Sequence, residues 1–115
     1  MRYALLICTD ESARAALSPE ENAEVMKAYA AFGTEMSGRG VLRGVERLRP
    51  TTDATTVRVS NGEVLVSDGP FAETKEQMGG FYLIDSKDLD EAIEIASKVP
   101  AAQHGVIEVR PIWEM

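Results

Sequence analysis

The sequence is poor in the residues that usually build disulfides and metal sites. Its 115 residues include one cysteine, Cys8, and one histidine, His104. A single cysteine excludes an internal disulfide, and one histidine with one cysteine is too few for an ordinary structural or catalytic zinc site. Because Cys8 ends an apolar run, we expect it to be a buried small hydrophobe rather than a nucleophile. No metal ion or other cofactor is therefore predicted.

The chain also lacks an excess of basic charge. Its formal net charge is -7, whereas nucleic-acid-binding proteins need a basic surface. The composition therefore argues against DNA, RNA or an anionic membrane surface as a partner. One local cluster is basic and contains Arg39, Arg43, Arg47 and Arg49. We interpret it as the solvated face of a strand and its flanks, with a true basic site as the alternative.

Long hydrophobic runs are absent as well. The apolar run from Tyr3 to Cys8 is too short for the core of a signal peptide, and far too short to span a bilayer. We therefore expect a cytoplasmic protein with no membrane partner. Phosphate-binding glycine loops, dinucleotide fingerprints and serine-based triads are also missing. With 44% hydrophobic and 27% charged residues, the composition predicts one soluble globular domain over residues 1–115.

Two helices are predicted from their start signals and their apolar spacing. The first begins after Ser18, which forms a capping box with Glu21, and ends at Gly38 and Gly40. Its predicted core-facing stripe is Val25, Met26, Tyr29, Phe32 and Met36. The second helix begins after Asp88 and is stopped by Pro100. Its predicted buried face is Leu89, Ala92, Ile93, Ala96 and Val99.

Six segments are predicted to be β-strands, and the segment 10–16 is predicted to be a loop. The strands are Tyr3–Cys8, Val41–Leu48, Thr55–Ser60, Glu63–Ser67, Gly80–Ile84 and Val106–Trp113. Asn61-Gly62 predicts a hairpin, because both residues tolerate the positive φ of a type I′ turn. The order strand–helix–strand, hairpin, strand–helix–strand predicts an α+β fold. It is a ferredoxin-like βαβ–hairpin–βαβ sandwich, with an antiparallel sheet and two helices on one face.

Two of the predicted strands are apolar on both faces. The runs Tyr3–Cys8 and Phe81–Ile84 have the pattern of strands whose two faces are both buried. Two helices cover only one face of a sheet, and no further element is predicted for the other. We therefore predict a homodimer that packs sheet against sheet and encloses a space for a small-molecule ligand.

Three segments carry a resemblance to a known family. They are Asp68-Gly69-Pro70-Phe71-Ala72-Glu73-Thr74-Lys75-Glu76, Gly79-Gly80-Phe81-Tyr82 and Glu108-Val109-Arg110-Pro111. With the Ser18-Pro19-Glu20-Glu21 helix start, they resemble the DGPF subgroup of the YCII-related proteins over essentially the whole chain. The resemblance implies a dimeric α+β barrel built from ferredoxin-like subunits.

The resemblance implies a range of functions rather than one. Most family members have no assigned activity, and the wider superfamily includes dehalogenases acting on chlorinated lactones and muconolactone isomerases. Other DGPF members are encoded beside, or fused to, sigma factors of the extracytoplasmic-function type. The YCII branch carries a histidine early in the first helix, suggested as half of a His–Asp site. This chain departs from that pattern, because Glu20 or Glu21 stands at the nearest position.

Charged residues concentrate between two predicted strands, over residues 68–77. Asp68 is a candidate general base or ligand acceptor, or else a turn residue that bonds the nearby backbone. Glu73 and Glu76 are three residues apart in a segment that can form a helical turn, and paired carboxylates can divide into an acid and a base. Lys75 is a candidate for binding an anionic substrate, or for pairing with these carboxylates in a surface turn.

Three further candidates lie outside this segment. His104 is a candidate general base in the loop before the last strand, or else a solvent-exposed loop residue. Arg110 would bind a substrate carboxylate if its face of the strand lines the barrel, and is otherwise structural. Tyr82 would place a hydroxyl in the same space, or would lie in the core. Gly79-Gly80 would let a ligand approach the backbone, or would relax the entry to the strand.

Three functional hypotheses remain open. The first is a cofactor-free acid–base enzyme, in which Asp68, Glu73 or His104 moves a proton on a small anionic or lactone-like molecule. Arg110 or Lys75 would hold that molecule. The second is a non-catalytic ligand-sensing or regulatory module that is associated with a sigma factor. The third is a structural dimeric domain without a ligand.

Overall fold

The computed structural model describes residues 1–114. In chain order the elements are β1 Arg2–Thr9, α1 Glu11–Ala15, α2 Pro19–Arg39, β2 Leu42–Arg47, β3 Thr55–Ser60, β4 Glu63–Asp68, β5 Gln77–Asp85, α3 Leu89–Ser97 and β6 Val106–Pro111. Short 3₁₀ turns at Thr51–Asp53 and Pro100–Gln103 precede β3 and β6. None of the helices in residues 1–114 combines the length and the apolar character needed to cross a bilayer.

Four strands form the main sheet in the order β2-β5-β1-β6, and all of its pairings are antiparallel. With β3 and β4 set aside, this is the strand order of a ferredoxin-like fold, with α2 and α3 as its two helices. The predicted fold class is therefore confirmed. β3 and β4 pair only with each other, in a separate two-stranded sheet.

The core lies between the main sheet and the two long helices. On the helix-covered face, Tyr3 is opposite Ile84 and Leu5 is opposite Tyr82. These strand residues pack in one buried cluster with Phe32 and Met36 of α2, with Ala92, Ile95 and Ala96 of α3, and with Val99 just beyond α3. The rings of Phe32 and Tyr82 meet edge to face, with centroids 5.0 Å apart.

The predicted starts of both long helices are confirmed. The Ser18 hydroxyl accepts from the Glu21 amide at 3.1 Å, and the Glu21 carboxylate accepts from the Ser18 amide at 2.9 Å. Asp88 caps α3 by accepting from the Glu91 amide at 2.9 Å. At the other end of α2, Gly40 has a φ of 71°, which only glycine adopts readily.

The predicted core stripe of α2 is correct for one half of the helix only. Phe32 and Met36 are buried, but Met26 is 40% exposed and Tyr29 is half-buried. The first half of α2 borders an open cleft instead of the core.

The predicted buried face of α3 is rotated relative to the real one. Ile95 is fully buried, whereas Ile93 is 50% exposed and Leu89 is 49% exposed. Ala92, Ile95, Ala96 and Val99 follow the spacing of one helical face, and the other two apolar residues lie on its flank.

The segment 10–16, predicted to be a loop, contains the short helix α1. The Asp10 carboxylate accepts from the backbone amides of Ser12 at 3.0 Å and Ala13 at 3.4 Å. α1 is anchored by Glu11, whose carboxylate accepts from the amide and the hydroxyl of Thr51 at 2.9 and 2.8 Å. Five residues are too few to display a helical repeat of apolar residues, so the apolar pattern did not reveal it.

Several predicted boundaries shift by a few residues. β5 begins at Gln77 rather than Gly80, β4 includes Asp68, and β6 ends at Pro111 rather than Trp113. No helical turn forms over residues 73–76.

We call β3 and β4 together the arm (residues 55–68). The predicted hairpin turn is confirmed, since Asn61 and Gly62 have φ values of 51° and 77°. The base of the arm is closed by two hydrogen bonds of Gly69. Its amide donates to the Ala54 carbonyl at 2.8 Å, and its carbonyl accepts from the Thr56 hydroxyl at 2.7 Å. Gly69 itself has a φ of 93°, which explains a glycine at this position.

Candidate functional site

A cleft opens on the helix-covered side of the main sheet, beside α1 and the first half of α2. It consists of three adjoining cavities of about 550, 530 and 190 Å³, and Thr9 and Arg14 line all three. We call it the Arg14 cleft. Its polar side chains include Thr9, Arg14, Tyr29, Arg47, Tyr82 and His104.

The position of Arg14 follows from the way β1 ends. The strand stops at Thr9, Asp10 caps α1 at once, and Arg14 lies one helical turn further on. The Glu11 amide also donates to the Gln77 side chain at 3.2 Å, which ties α1 to the start of β5. Arg14 then contacts the first half of α2, with its Nη2 atom 3.8 Å from the Met26 sulfur.

Two tyrosines lie where the cleft meets the core. Burial raises the pKa of the Tyr29 phenol, and the charges of Arg14 and Arg47 partly offset this. Burial raises the pKa of Tyr82 to about 12, with a further contribution from Tyr29. Both phenols are therefore neutral near pH 7 and available as hydrogen-bond donors. The effect of both arginines on Tyr29 also means that two positive charges are directed at this part of the cleft.

These two arginines differ from most of the others, although Arg58 on the arm also has no carboxylate partner among the described residues and lies over the ring of Phe71. Within residues 1–114, neither Arg14 nor Arg47 has a carboxylate partner within ion-pair distance. Most other arginines are paired: Arg2 with Glu114, Arg39 with Glu94, Arg43 with Asp85, Arg49 with Asp53 and Arg110 with Glu108. In the basic cluster that was predicted to be a solvated face, Arg39, Arg43 and Arg49 form surface ion pairs. The fourth member, Arg47, lines the cleft.

Two of the acidic groups that line the cleft, Asp10 and Glu21, cap helices, whereas Glu24 and Glu46 line it without such a role. A hydrogen bond from the Ser12 hydroxyl is the main cause that lowers the pKa of Asp10. The backbone of Ser18 lowers the pKa of Glu21 in the same way. Because their carboxylates are stabilised as anions by helix caps, these two groups are poor proton acceptors. His104, at the end of the 3₁₀ turn, is exposed and lines the same cavity as these two carboxylates, and an imidazole is a common general base in proteins.

The six residues predicted from the sequence lie in different parts of the subunit. Tyr82 and His104 line adjoining cavities of the Arg14 cleft, and Tyr82 also belongs to the core. Arg110 is on the opposite face of the main sheet, because it is paired with Ala4, whereas Tyr82 is paired with Leu5.

The other three predicted residues, Asp68, Glu73 and Lys75, do not lie with Tyr82 and His104 in the cleft. Asp68 is exposed at the end of the arm, and Glu73 and Lys75 are exposed in the segment that follows it. Among residues 1–114 the Asp68 carboxylate makes no hydrogen bond, so no Asx-type turn forms there. Lys75 makes a small contribution to lowering the pKa of Asp10, so its charge is felt at the rim of the cleft.

Cys8 is on the uncovered face of the main sheet and is half-buried. Burial raises the pKa of its thiol, and the nearby carboxylates of Glu108 and Glu76 raise it further. A thiol with a raised pKa is a weak nucleophile, in agreement with the expected apolar role. In the part of the chain from Met1 to Glu114, no group of three or more His, Cys, Asp or Glu side chains is placed to hold a metal ion.

Arg14, Arg47, Tyr29 and Thr9 are not among the site residues predicted from the sequence. Arg14 lies in the segment predicted to be a loop, and Tyr29 lies in the apolar stripe predicted to face the core. One signal for α1 was present, because Asp10-Glu11 followed by an alanine-rich stretch is a capping residue before good helix formers. Nothing local distinguishes Arg47 from its paired neighbours.

The main sheet, its two covering helices and this cleft define a ferredoxin-like α+β domain with a site between sheet and helices. The chain belongs to the YCII-related domain family, whose family model matches residues 1–115. It is also similar to an uncharacterized protein of Rhizobium meliloti (strain 1021). The two are 49% identical over 114 residues, which cover 97% of this chain and 92% of that protein.

Proposed function

We propose that this YCII-related protein binds a small organic anion in the Arg14 cleft. The observation that carries the proposal is the pair of arginines, Arg14 and Arg47, which face one cleft without a carboxylate partner among residues 1–114. In a chain with a net charge of -7, carboxylates are abundant, and Glu24 and Glu46 line the same cleft, yet none among residues 1–114 lies within ion-pair distance of these two arginines. Guanidinium groups bind carboxylates with paired hydrogen bonds, so a carboxylate-bearing ligand fits the site.

The rest of the cleft suits the remainder of such a ligand. The largest of the three cavities of the cleft, of about 550 Å³, falls in the range that holds small organic molecules. Its apolar wall includes Leu17 and Val25, and its polar wall includes Thr9 and Tyr29. A molecule with one carboxylate and a compact ring or lactone body matches this division.

For such a molecule we propose a cofactor-free proton transfer. His104 removes a proton from the carbon next to the lactone carbonyl, and the electron pair of that C–H bond moves onto the carbonyl oxygen. Tyr29 or Tyr82 donates a hydrogen bond to the resulting enolate oxygen, which is the role of a neutral phenol in such a site. In a lactone that carries a β,γ double bond, the proton returns to the γ-carbon of the resulting dienolate while the double bond moves to the α,β position, and this completes an isomerisation without any co-reactant.

Binding is tested by calorimetry with a panel of aliphatic and aromatic carboxylates and of lactones that carry a carboxylate. We expect Arg14→Gln to weaken the best binder of the panel about tenfold or more, because a charge-assisted hydrogen bond contributes about 1.5–3 kcal/mol. Arg110→Gln is the matched control, since it removes the same group from the opposite face of the sheet.

The control also separates this proposal from the site predicted from the sequence. If binding is lost in Arg110→Gln and kept in Arg14→Gln, the ligand occupies the uncovered face and the Arg14 cleft is not the site. If no member of the panel binds the wild type, the anion proposal fails.

The alternative is a non-catalytic ligand-sensing module that uses the same cleft. The enzyme and the sensing module are distinguished by incubating the best-binding lactone with the protein in D₂O and measuring the exchange of its α-proton for deuterium. Exchange that depends on His104 supports the enzyme. Tight binding without exchange supports the sensor.

Three further proposals rest on the resemblance and the composition. They are a sigma-factor partner, a cytoplasmic location and membership of the DGPF subgroup, the last of which is supported by the segment Asp68–Glu76.

We also propose that the protein forms a homodimer through the uncovered face of the main sheet. Leu6 is opposite Phe81 and Ala4 is opposite Leu83 on that face, and all four are only half-buried within one subunit. The neighbouring Val106 is 53% exposed. A second copy packed sheet against sheet removes these side chains from water, and sedimentation equilibrium at micromolar concentration tests it.

A further inference from the structure

One face of the arm is made almost entirely of valine and is not covered within the subunit. Val57 is opposite Val66 and Val59 is opposite Val64, so the four side chains lie on one face of the two-stranded sheet. They are between 61% and 64% exposed. In the main sheet, by contrast, the helix-covered face of β1 and β5 is buried throughout.

An arm of this kind is not expected to be stable alone. A single two-stranded hairpin is marginal in water, and three strands or a packed face are normally needed. Here β3 and β4 contact each other but have no comparable contact with any other element. The valine face also has high β-propensity, and Asp68 is the one charged residue on it. Left open, it would be an aggregation hazard.

The chain exposes more surface than a typical compact monomer of its size. A monomeric protein of 12.5 kDa exposes roughly 6,200 Å², whereas this subunit exposes 7939 Å². Its radius of gyration is 16.1 Å, compared with roughly 13 Å for a compact domain of this length. The subunit is a plate of 48 × 44 × 18 Å, as expected if much of its surface is covered by another chain.

We infer that the valine face of the arm packs against a second copy of this chain, so that each subunit of the dimer is held by the arm of the other. This inference rests on the proposed homodimer and adds a second contact surface to it. The excess surface of roughly 1,700 Å² per subunit is the amount that each partner of an obligate homodimer buries. The sheet face alone supplies only part of this area, because its four central side chains are already half-buried.

The chemistry of the arm favours a second copy over an unrelated partner. In a homodimer with a twofold axis, both subunits bury the same surface patch. The valine face of each arm is therefore buried against the other subunit, and both arms are buried at once. The valine face is nearly uncharged, as is usual for obligate homodimers, whereas surfaces for transient partners are more polar.

The test is the dimer dissociation constant of the double variant Val57→Thr, Val66→Thr, measured by sedimentation or mass photometry. Threonine keeps the shape and the β-propensity of valine but has a hydroxyl in place of one methyl group. Twofold symmetry places four such changes in one dimer, so we expect the dissociation constant to rise about a hundredfold or more. The matched control is Leu65→Thr, which removes an apolar side chain from the opposite face of the arm and should leave the constant unchanged.

The outcomes distinguish this inference from the homodimer proposal. If the wild type is a monomer, both fail. If the wild type is a dimer and the double variant dissociates no more readily than Leu65→Thr, the arm inference is overturned and the sheet-to-sheet dimer stands. Hydrogen exchange provides a readout that does not depend on the variants. Amides of residues 55–68 should be protected above the dissociation constant and exchange rapidly below it, and equal protection at both concentrations contradicts the inference.

Discussion

The two β-sheets of this protein are built from similar residues and differ in what covers them. β1 and β5 of the main sheet and β3 and β4 of the arm are all rich in apolar and β-branched side chains. In the main sheet, α2 and α3 remove one face from water, and Leu5 and Ile84 become fully inaccessible. In the arm no element does so, and Val57 and Val66 remain largely exposed.

The difference shows that an apolar strand pattern predicts a strand but not its burial. Alternation and β-propensity are local properties, and they produced correct strands in both sheets. Burial depends on whether another element reaches the surface. For the arm and the uncovered sheet face, that element is not within the subunit, which is why both proposals of assembly concern these surfaces.

The largest expected effect tests the covered side of the main sheet. We expect Ile95→Ala to lower the free energy of unfolding by about 3 kcal/mol, because it leaves a cavity in a fully buried position. Ile93→Ala is the matched control on the same helix and should lower it by less than about 1 kcal/mol, since Ile93 is 50% exposed. Urea denaturation measures both. Equal losses would mean that α3 is rotated relative to the structure described.

The next effect concerns the two glycines at the start of β5. A Cβ atom on Gly80 would lie 2.7 Å from the backbone oxygen of Glu46, whereas one on Gly79 would have no atom within 4 Å. We therefore expect Gly80→Ala to destabilise the protein by about 2 kcal/mol through overpacking. Gly79→Ala should be neutral or stabilising by up to about 0.5 kcal/mol. Thermal unfolding of the pair checks this, and the reverse order would contradict close strand packing as the reason for Gly80.

The pH dependence of stability tests burial at the border between core and cleft. The pKa of Tyr82 is raised from 10.0 to about 12 in the folded protein, so the folded state keeps a proton that the unfolded state loses. Stability is fully present below pH 10 and is lost as the pH rises from 10 towards 12. We expect a loss of about 1–2 kcal/mol, less than the full shift implies because the side chain borders the cleft.

Tyr82→Phe is the control for this titration. The variant has no phenol at that position, so its stability should fall less steeply than that of the wild type between pH 10 and 12. Chemical denaturation at a series of pH values measures both curves. Parallel curves would show that the Tyr82 hydroxyl is solvated and that the border of the core lies elsewhere.

The smallest expected effect tests the independence of the arm. Gly62 has a φ of 77°, and alanine adopts such an angle at a cost of about 1–2 kcal/mol. Because the arm makes few contacts with the main sheet, Gly62→Ala should accelerate amide exchange in β3 and β4 at concentrations above the dimer dissociation constant and leave β1 and β5 unchanged. Gly38→Ala is the control, because Gly38 is helical and its Cβ would have no neighbour within 4 Å. Faster exchange throughout the sheet in Gly62→Ala would show that arm and main sheet unfold together.

The comparison also explains which parts of the site were predictable. Tyr82 and His104 are site candidates from residue type and position, and both line cavities of the Arg14 cleft, while their roles there stay predictions. Arg14 was missed because α1 is too short to show a period. Arg47 was missed because the absence of a partner is a three-dimensional property. The segment beginning at Asp68 has a high charge density for a loop, but within one subunit Asp68, Glu73 and Lys75 do not line the cleft.

The sequence by itself determined the local elements: the caps at Ser18 and Asp88, the turn at Asn61-Gly62 and the apolar alternation of the strands. These depend on backbone preferences and on neighbours within a few residues, so they can be read along the chain. The tertiary structure alone decided which arginines are left without a carboxylate, that Tyr29 borders a cleft, and that the arm stands apart from the main sheet. Each of these depends on distances between residues far apart in the chain, which a linear pattern does not contain.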